Sequence, residues 1–114
     1  MSNLSNVAEF DTLRSLNFSA ISGTYAQVGT TVQHNCRAIG FTNNTNGDLF
    51  ISFDGVNDNI FLPAGGLKVF DIATNTSLNN SVFELVYNLK VYVKQSTAPS
   101  SGDFYLEVVY ARGS

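Results

Sequence analysis

The chain predicts an all-β fold, a single antiparallel β-sandwich that is jelly-roll-like, and three observations predict it. Apolar residues recur at every second position over short runs. Turn-forming clusters of Gly, Pro, Asn, Asp and Ser separate those runs about every ten residues. The chain has 114 residues, of which 44% are hydrophobic. A chain of this size buries about two-thirds of its unfolded surface, so one domain can hold a core without disulfide or metal staples.

Residues 1–15 depart from this pattern and are read as an N-terminal arm, with residues 16–114 as the sandwich domain. Asn6 followed by Glu9 resembles a capping box, and Val7, Phe10 and Leu13 recur at intervals of three. That spacing predicts a short helix with the three side chains on one face. Two or three turns are marginal alone, so the arm is expected to fold back on its own domain or to dock on a neighbouring subunit. Val7, Phe10 and Leu13 are the candidate interface residues.

From Leu16 the period is two. Residues 16–22 make a first strand, and 24–28 continue it or form a short partner. In residues 36–42, Arg37, Ile39 and Phe41 fall on one face and Cys36, Ala38 and Gly40 on the other, where small side chains allow close approach of a neighbour. Residues 43–47 are expected to close a hairpin. Residues 48–54 then alternate with Leu49, Ile51 and Phe53 on the buried side. Asp54 and Gly55 mark a turn, 57–62 a second strand, and Pro63, Ala64, Gly65 and Gly66 another turn before a third strand at 67–72, together a three-stranded meander. Gly65 and Gly66 are expected to serve folding, because paired glycines permit positive φ. Residues 73–81 are a polar surface loop and 82–87 are ambiguous. Leu89, Val91 and Val93 alternate with Lys90, Tyr92 and Lys94. The last strand, 103–111, carries large side chains on both faces, which predicts a central or covered position.

Charged residues are 13% of the chain, well below the roughly 25% of an average soluble domain. So much uncharged surface points to extensive contact with other protein. The six Lys and Arg are scattered singly and the net charge is −3, so no basic stripe exists for nucleic acid. No apolar run is long enough to span a membrane, and the first ten residues lack the pattern of a signal peptide, so a soluble, non-exported chain is expected.

Catalytic chemistry finds little to work with. His34 is the sole histidine and Cys36 the sole cysteine, two positions apart with no orienting third group. Both are read as structural. Asp54, Asn57, Asp58 and Asn59 gather oxygens, but their spacing departs from a calcium loop and suits a turn. The expectation is a non-enzyme with no cofactor and no metal.

The sequence Ser52-Phe53-Asp54-Gly55, then Phe61-Leu62-Pro63-Ala64-Gly65-Gly66, then a strand ending at Asp71, resembles small β-sandwich structural proteins of tailed bacteriophage virions. The turn Thr97-Ala98-Pro99-Ser100-Ser101-Gly102 before a Tyr-rich last strand is similar to theirs as well. Over residues 16–110 the resemblance implies a virion protein assembled in the host cytoplasm. Its partners would be the major capsid protein or neck and tail proteins, and it would form a homo-oligomer. A capsid cement or decoration protein is the leading expectation. A head-to-tail adaptor or fibre anchor is the alternative within the particle. A carbohydrate-binding module using Tyr92 or Tyr105 as stacking platforms is the alternative outside it.

Overall fold

The computed structural model describes residues 8–33, 36–71 and 89–111. Within them lie nine strands: β1 (Ala8–Phe10), β2 (Arg14–Asn17), β3 (Ala26–Gln27), β4 (Cys36–Thr45), β5 (Leu49–Ser52), β6 (Ile60–Leu62), β7 (Leu67–Asp71), β8 (Tyr92–Gln95) and β9 (Gly102–Ala111). They form two antiparallel sheets. One runs β1-β9-β4-β7, with β2 also paired to β9, and the other runs β3-β8-β5-β6. The pairs β2 with β9, β3 with β8, β4 with β7, and β5 with β6 are nested along the chain and alternate between sheets. The molecule is thus an all-β sandwich, as its periodicity predicts.

Alternation builds the core. Leu49, Ile51, Leu62, Val91 and Val93 face inward from the four-stranded sheet, and Ile39, Phe41, Phe104, Leu106 and Val108 from the other, all nearly inaccessible to solvent. Phe41 is the hub. Its ring lies 6.3 Å from Phe104, 6.1 Å from Phe53 and 6.0 Å from Phe70, all within the range of favourable aromatic pairs. The last strand is central, with β1 and β2 on one side of β9 and β4 on the other.

Four expectations are corrected. The arm is not helical from Ala8 onward: Ala8–Phe10 pairs with β9, with Phe10 opposite Val109, because a spacing of three over seven residues does not outweigh an available strand edge. The boundary between residues 15 and 16 falls inside β2, which pairs with β9 from Arg14 to Asn17. Residues 43–47 are not a hairpin loop, since β4 continues to Thr45 and β5 belongs to the opposite sheet. Nor do the strands from 49 to 71 form one meander; β6 pairs with β5, while β7 crosses over to pair with β4.

Both crossings are held by one buried side chain. The Asn43 amide donates to the carbonyls of Gly47 at 2.9 Å and Leu62 at 3.1 Å, and its oxygen accepts from the Thr45 N–H and hydroxyl at 3.0 and 2.6 Å. The Asn43 backbone N–H donates to the Gly66 carbonyl, and its own carbonyl accepts from the Gly65 N–H. A fully satisfied amide replaces the sheet ladder where the chain leaves it. On the other side, a bulge in β4 between Cys36 and Ala38 shifts the register. It turns Cys36 into the core while Ala38 and Gly40 stay on the outer face, splitting the small-residue face that simple alternation predicts.

Candidate protein interface

The predicted turn residues form two tight corners. After β5, the Asp54 carboxylate accepts from the backbone N–H groups of Asn57 and Val56, each at 2.8 Å, from the Ser52 hydroxyl at 2.8 Å, and from the Asn57 amide at 2.7 Å. Those donors, the Asn57 N–H foremost, hold its pKa well below the usual carboxylate range. Gly55 follows at φ 75°, beneath the Tyr92 ring. At the second corner Gly65 has φ 74° with open space around it, so backbone conformation alone selects glycine. Gly66 is chosen for room: a Cβ there would stand 2.8 Å from the Pro63 carbonyl oxygen. Pro63 accepts the Gly66 N–H through that carbonyl at 2.8 Å. Pro63, Gly65 and Gly66 carry the crossing between sheets, whereas Asp54 and Gly55 turn the chain from β5 to β6 within one sheet.

Of the candidate interface residues, Val7 lies outside the described residues. Phe10 is 84% exposed and Leu13 54% exposed. Registers place Phe10 opposite Val109, Val109 opposite Ala38, Gly40 opposite Val69, and Thr42 opposite Leu67. Directly opposed residues share a face, so the solvent side of the five-stranded sheet carries Phe10, Val109, Ala38, Gly40, Val69 and Leu67 together. Val69 is 64% exposed and Leu67 62%. Glu107 interrupts this face and lies over Gly40, its Oε1 3.3 Å from where a Cβ would be. Leu13 lies in the link from β1 to β2.

Around the β7 edge this apolar face meets the open flank of the sandwich. A cleft of about 550 Å³ lies there, lined by Ile39, Phe53, Ile60, Phe61, Lys68 and Phe70. Phe61 and Phe70 are exposed at its mouth, and Phe70 touches Phe41, so one aromatic cluster runs from the core to the surface. The sequence pattern marks 67–72 as a strand without telling an edge strand from a central one. No described strand pairs with the outer edge of β7.

The opposite outer face differs. There Lys94 lies 3.2 Å from the Asp58 carboxylate, 4.9 Å from the centre of the Tyr25 ring and 5.8 Å from that of Phe50. The Tyr25 hydroxyl donates to Asp58. Burial first, then that bond, pushes the Tyr25 pKa up, while the Tyr25 and Lys94 contacts lower that of Asp58. These groups satisfy one another. Tyr92 sits on this face and Tyr105 on the other, both half-buried, so the two do not form one stacking platform.

A second hollow, lined by Asp11, Arg14, Gln27, Thr30 and Thr31, is polar. Its guanidinium is already engaged, donating to the Thr30 carbonyl at 2.8 Å and pairing with Asp11 at 3.1 Å. Among the described residues no group of three His, Cys, Asp or Glu is placed to hold a metal. His34 lies outside them.

No family model matches the chain, and no curated protein matches it. Among solved structures it is similar to SPP1 Dit (gp 19.1), whose crystal structure is described as a paradigm of the hub adsorption apparatus in Gram-positive-infecting phages. The TM-score is 0.40 and the identity 10%, over 90% of this chain and 49% of that one. The chain thus spans about half the length of that protein.

Proposed function

We propose that this chain is a non-enzymatic structural protein of a tailed-phage virion, acting through protein–protein contacts made by the outer face of its five-stranded sheet. The observation that carries this reading is that exposed Phe10, Val69 and Leu67 share one face of the five-stranded sheet with Val109 and Ala38, interrupted by Glu107, where a face meeting only water would be mostly polar. Depletion of charge and exposed aromatic residues are the composition of an interface core. The nested strand pairs support a jelly-roll reading of the sandwich, an architecture found in viral capsid proteins and in lectins. Fold alone does not choose between these, and the surface favours the first. The two tyrosines that would serve a carbohydrate platform are on opposite faces, whereas Phe10, Val109, Ala38, Val69 and Leu67 share one face, around Glu107. The virion setting rests on the sequence resemblance over 16–110 and on this surface, not on the structural likeness to the hub protein.

Within the particle, cementing or decorating the capsid is the role proposed, with a neck or tail position as its alternative. The test is incorporation. Phe10→Asp and Val69→Asp change exposed side chains, so each variant should fold with a melting temperature near that of the parent. Each should be depleted from purified particles. Normal incorporation of both variants would count against the proposed face. Micromolar, specific binding to polysaccharide by the parent chain would favour the carbohydrate reading instead.

A further inference from the structure

We infer that a second copy of this chain pairs with the edge of β7, antiparallel and centred on Val69, so that the five-stranded sheets of two molecules become continuous. The inference rests on the outer face of this sheet being a protein interface, and it names the partner of its rim.

The hydrogen-bond phase of β7 sets the geometry. The Asn43 N–H donates to the Gly66 carbonyl at 2.9 Å, in the register where 43 opposes 66. Antiparallel bonding alternates, so Phe41 with Lys68 and Ile39 with Phe70 are the bonded pairs that follow. Leu67, Val69 and Asp71 therefore turn their backbone N–H and C=O away from β4, toward an edge with no described strand. This pattern is symmetric about Val69. A two-fold axis there sets Val69 against its own copy and Leu67 against Asp71, so every outward donor meets an outward acceptor.

The side chains agree with this register. On the outer face Val69 meets Val69, extending the apolar face across both molecules. On the cleft side Lys68 comes opposite Phe70 of the second copy, a cation facing an aromatic ring. Centring on Lys68 instead would oppose two ammonium groups directly, which is destabilising. The other edges in the described chain are shorter: β3 has two residues, β1 and β6 have three, β2 has four, and β6 is followed by Pro63. The five-residue strip is small beside the roughly 800 Å² per partner of a standard interface, so the pairing should be concentration-dependent.

The test uses the full chain with Val69→Cys, oxidised with diamide. In the proposed register the two Cα atoms at position 69 lie about 5.5 Å apart, within the span a disulfide bridges. Cys36 is buried and serves as an internal control. We expect a disulfide-linked dimer from Val69→Cys and at least ten-fold less from Gly23→Cys, whose site is exposed, has open space around it and precedes β3 of the other sheet. Equal cross-linking from the two variants overturns the inference. Val69→Pro, which removes an outward N–H and leaves the β4 ladder intact, should weaken self-association at least ten-fold in sedimentation velocity. If Val69→Pro does not fold, the cross-linking result decides. If cross-linking fails while Val69→Asp still blocks particle incorporation, the second copy is excluded and the interface reading stands.

Discussion

Single residues hold the corners of this sandwich for different physical reasons, and those reasons predict different responses to substitution. Gly65 is glycine for its φ of 74° and has open space around it, whereas Gly66 is glycine for lack of room beside the Pro63 carbonyl. Gly65→Val should cost about 1–3 kcal/mol of backbone strain, and Gly65→Asn distinctly less, because Asn tolerates the left-handed region. Gly66→Val should also lower the melting temperature, and Gly66→Asn should bring no relief there. Equal melting of the two Gly65 variants would show that φ is not what selects glycine. Asp54 responds to pH. Its folded-state pKa is depressed, so its contribution is fully present above the ordinary carboxylate pKa of about 3.9 and is lost as pH falls through the lower folded value. Asp54→Asn should therefore melt lower than the parent at pH 7, with the gap closing in acid. A gap that stays constant or widens in acid would contradict this assignment.

At the scale of elements, two places carry most of the consequences. Asn43 binds both sheet crossings through four side-chain hydrogen bonds in a fully buried site. Asn43→Leu keeps the branched shape but removes all four bonds, taking their Asn43 partner from the Leu62 carbonyl and the Thr45 N–H and leaving the Gly47 carbonyl only the Thr45 hydroxyl, so a loss of about 3 kcal/mol is expected in urea melts. The second place is the N-terminal strands. Arg14 is buried, its guanidinium tied to the Thr30 and Thr12 carbonyls and to Asp11, and its stem packed against Gly29. A chain beginning at Leu16 loses β1, half of β2 and this anchor. It should unfold at lower denaturant than the full chain; an unchanged midpoint would show these strands to be accessory. The inward faces were legible in the sequence, because 49/51/53, 89/91/93 and 104/106/108 alternate without interruption. Sheet membership was not. Asn43 looked like one more loop asparagine among Asn43, Asn44 and Asn46, and a Pro-Gly turn looks the same whether it closes a hairpin or crosses to another sheet. The bulge at Cys36 and Ala38 was equally silent, since a one-residue shift leaves no mark on composition.

For the whole molecule, Phe10 and Leu13 were legible as candidate contacts from their apolar character, although the helical reason for grouping them was mistaken. Leu67 and Val69 were not singled out, because alternation identifies a strand but does not tell an edge from a centre. Registers bring Phe10, Val69 and Leu67 onto one face, and it is this face that the proposed assembly role requires. The most direct test is a reconstruction of the intact particle at a resolution that traces strands. The proposed role predicts the chain in the particle with the outer face of the β1-β9-β4-β7 sheet covered by protein, and Phe10 and Val69 out of contact with solvent. A particle without the chain, or one in which that face is open to water, would contradict it.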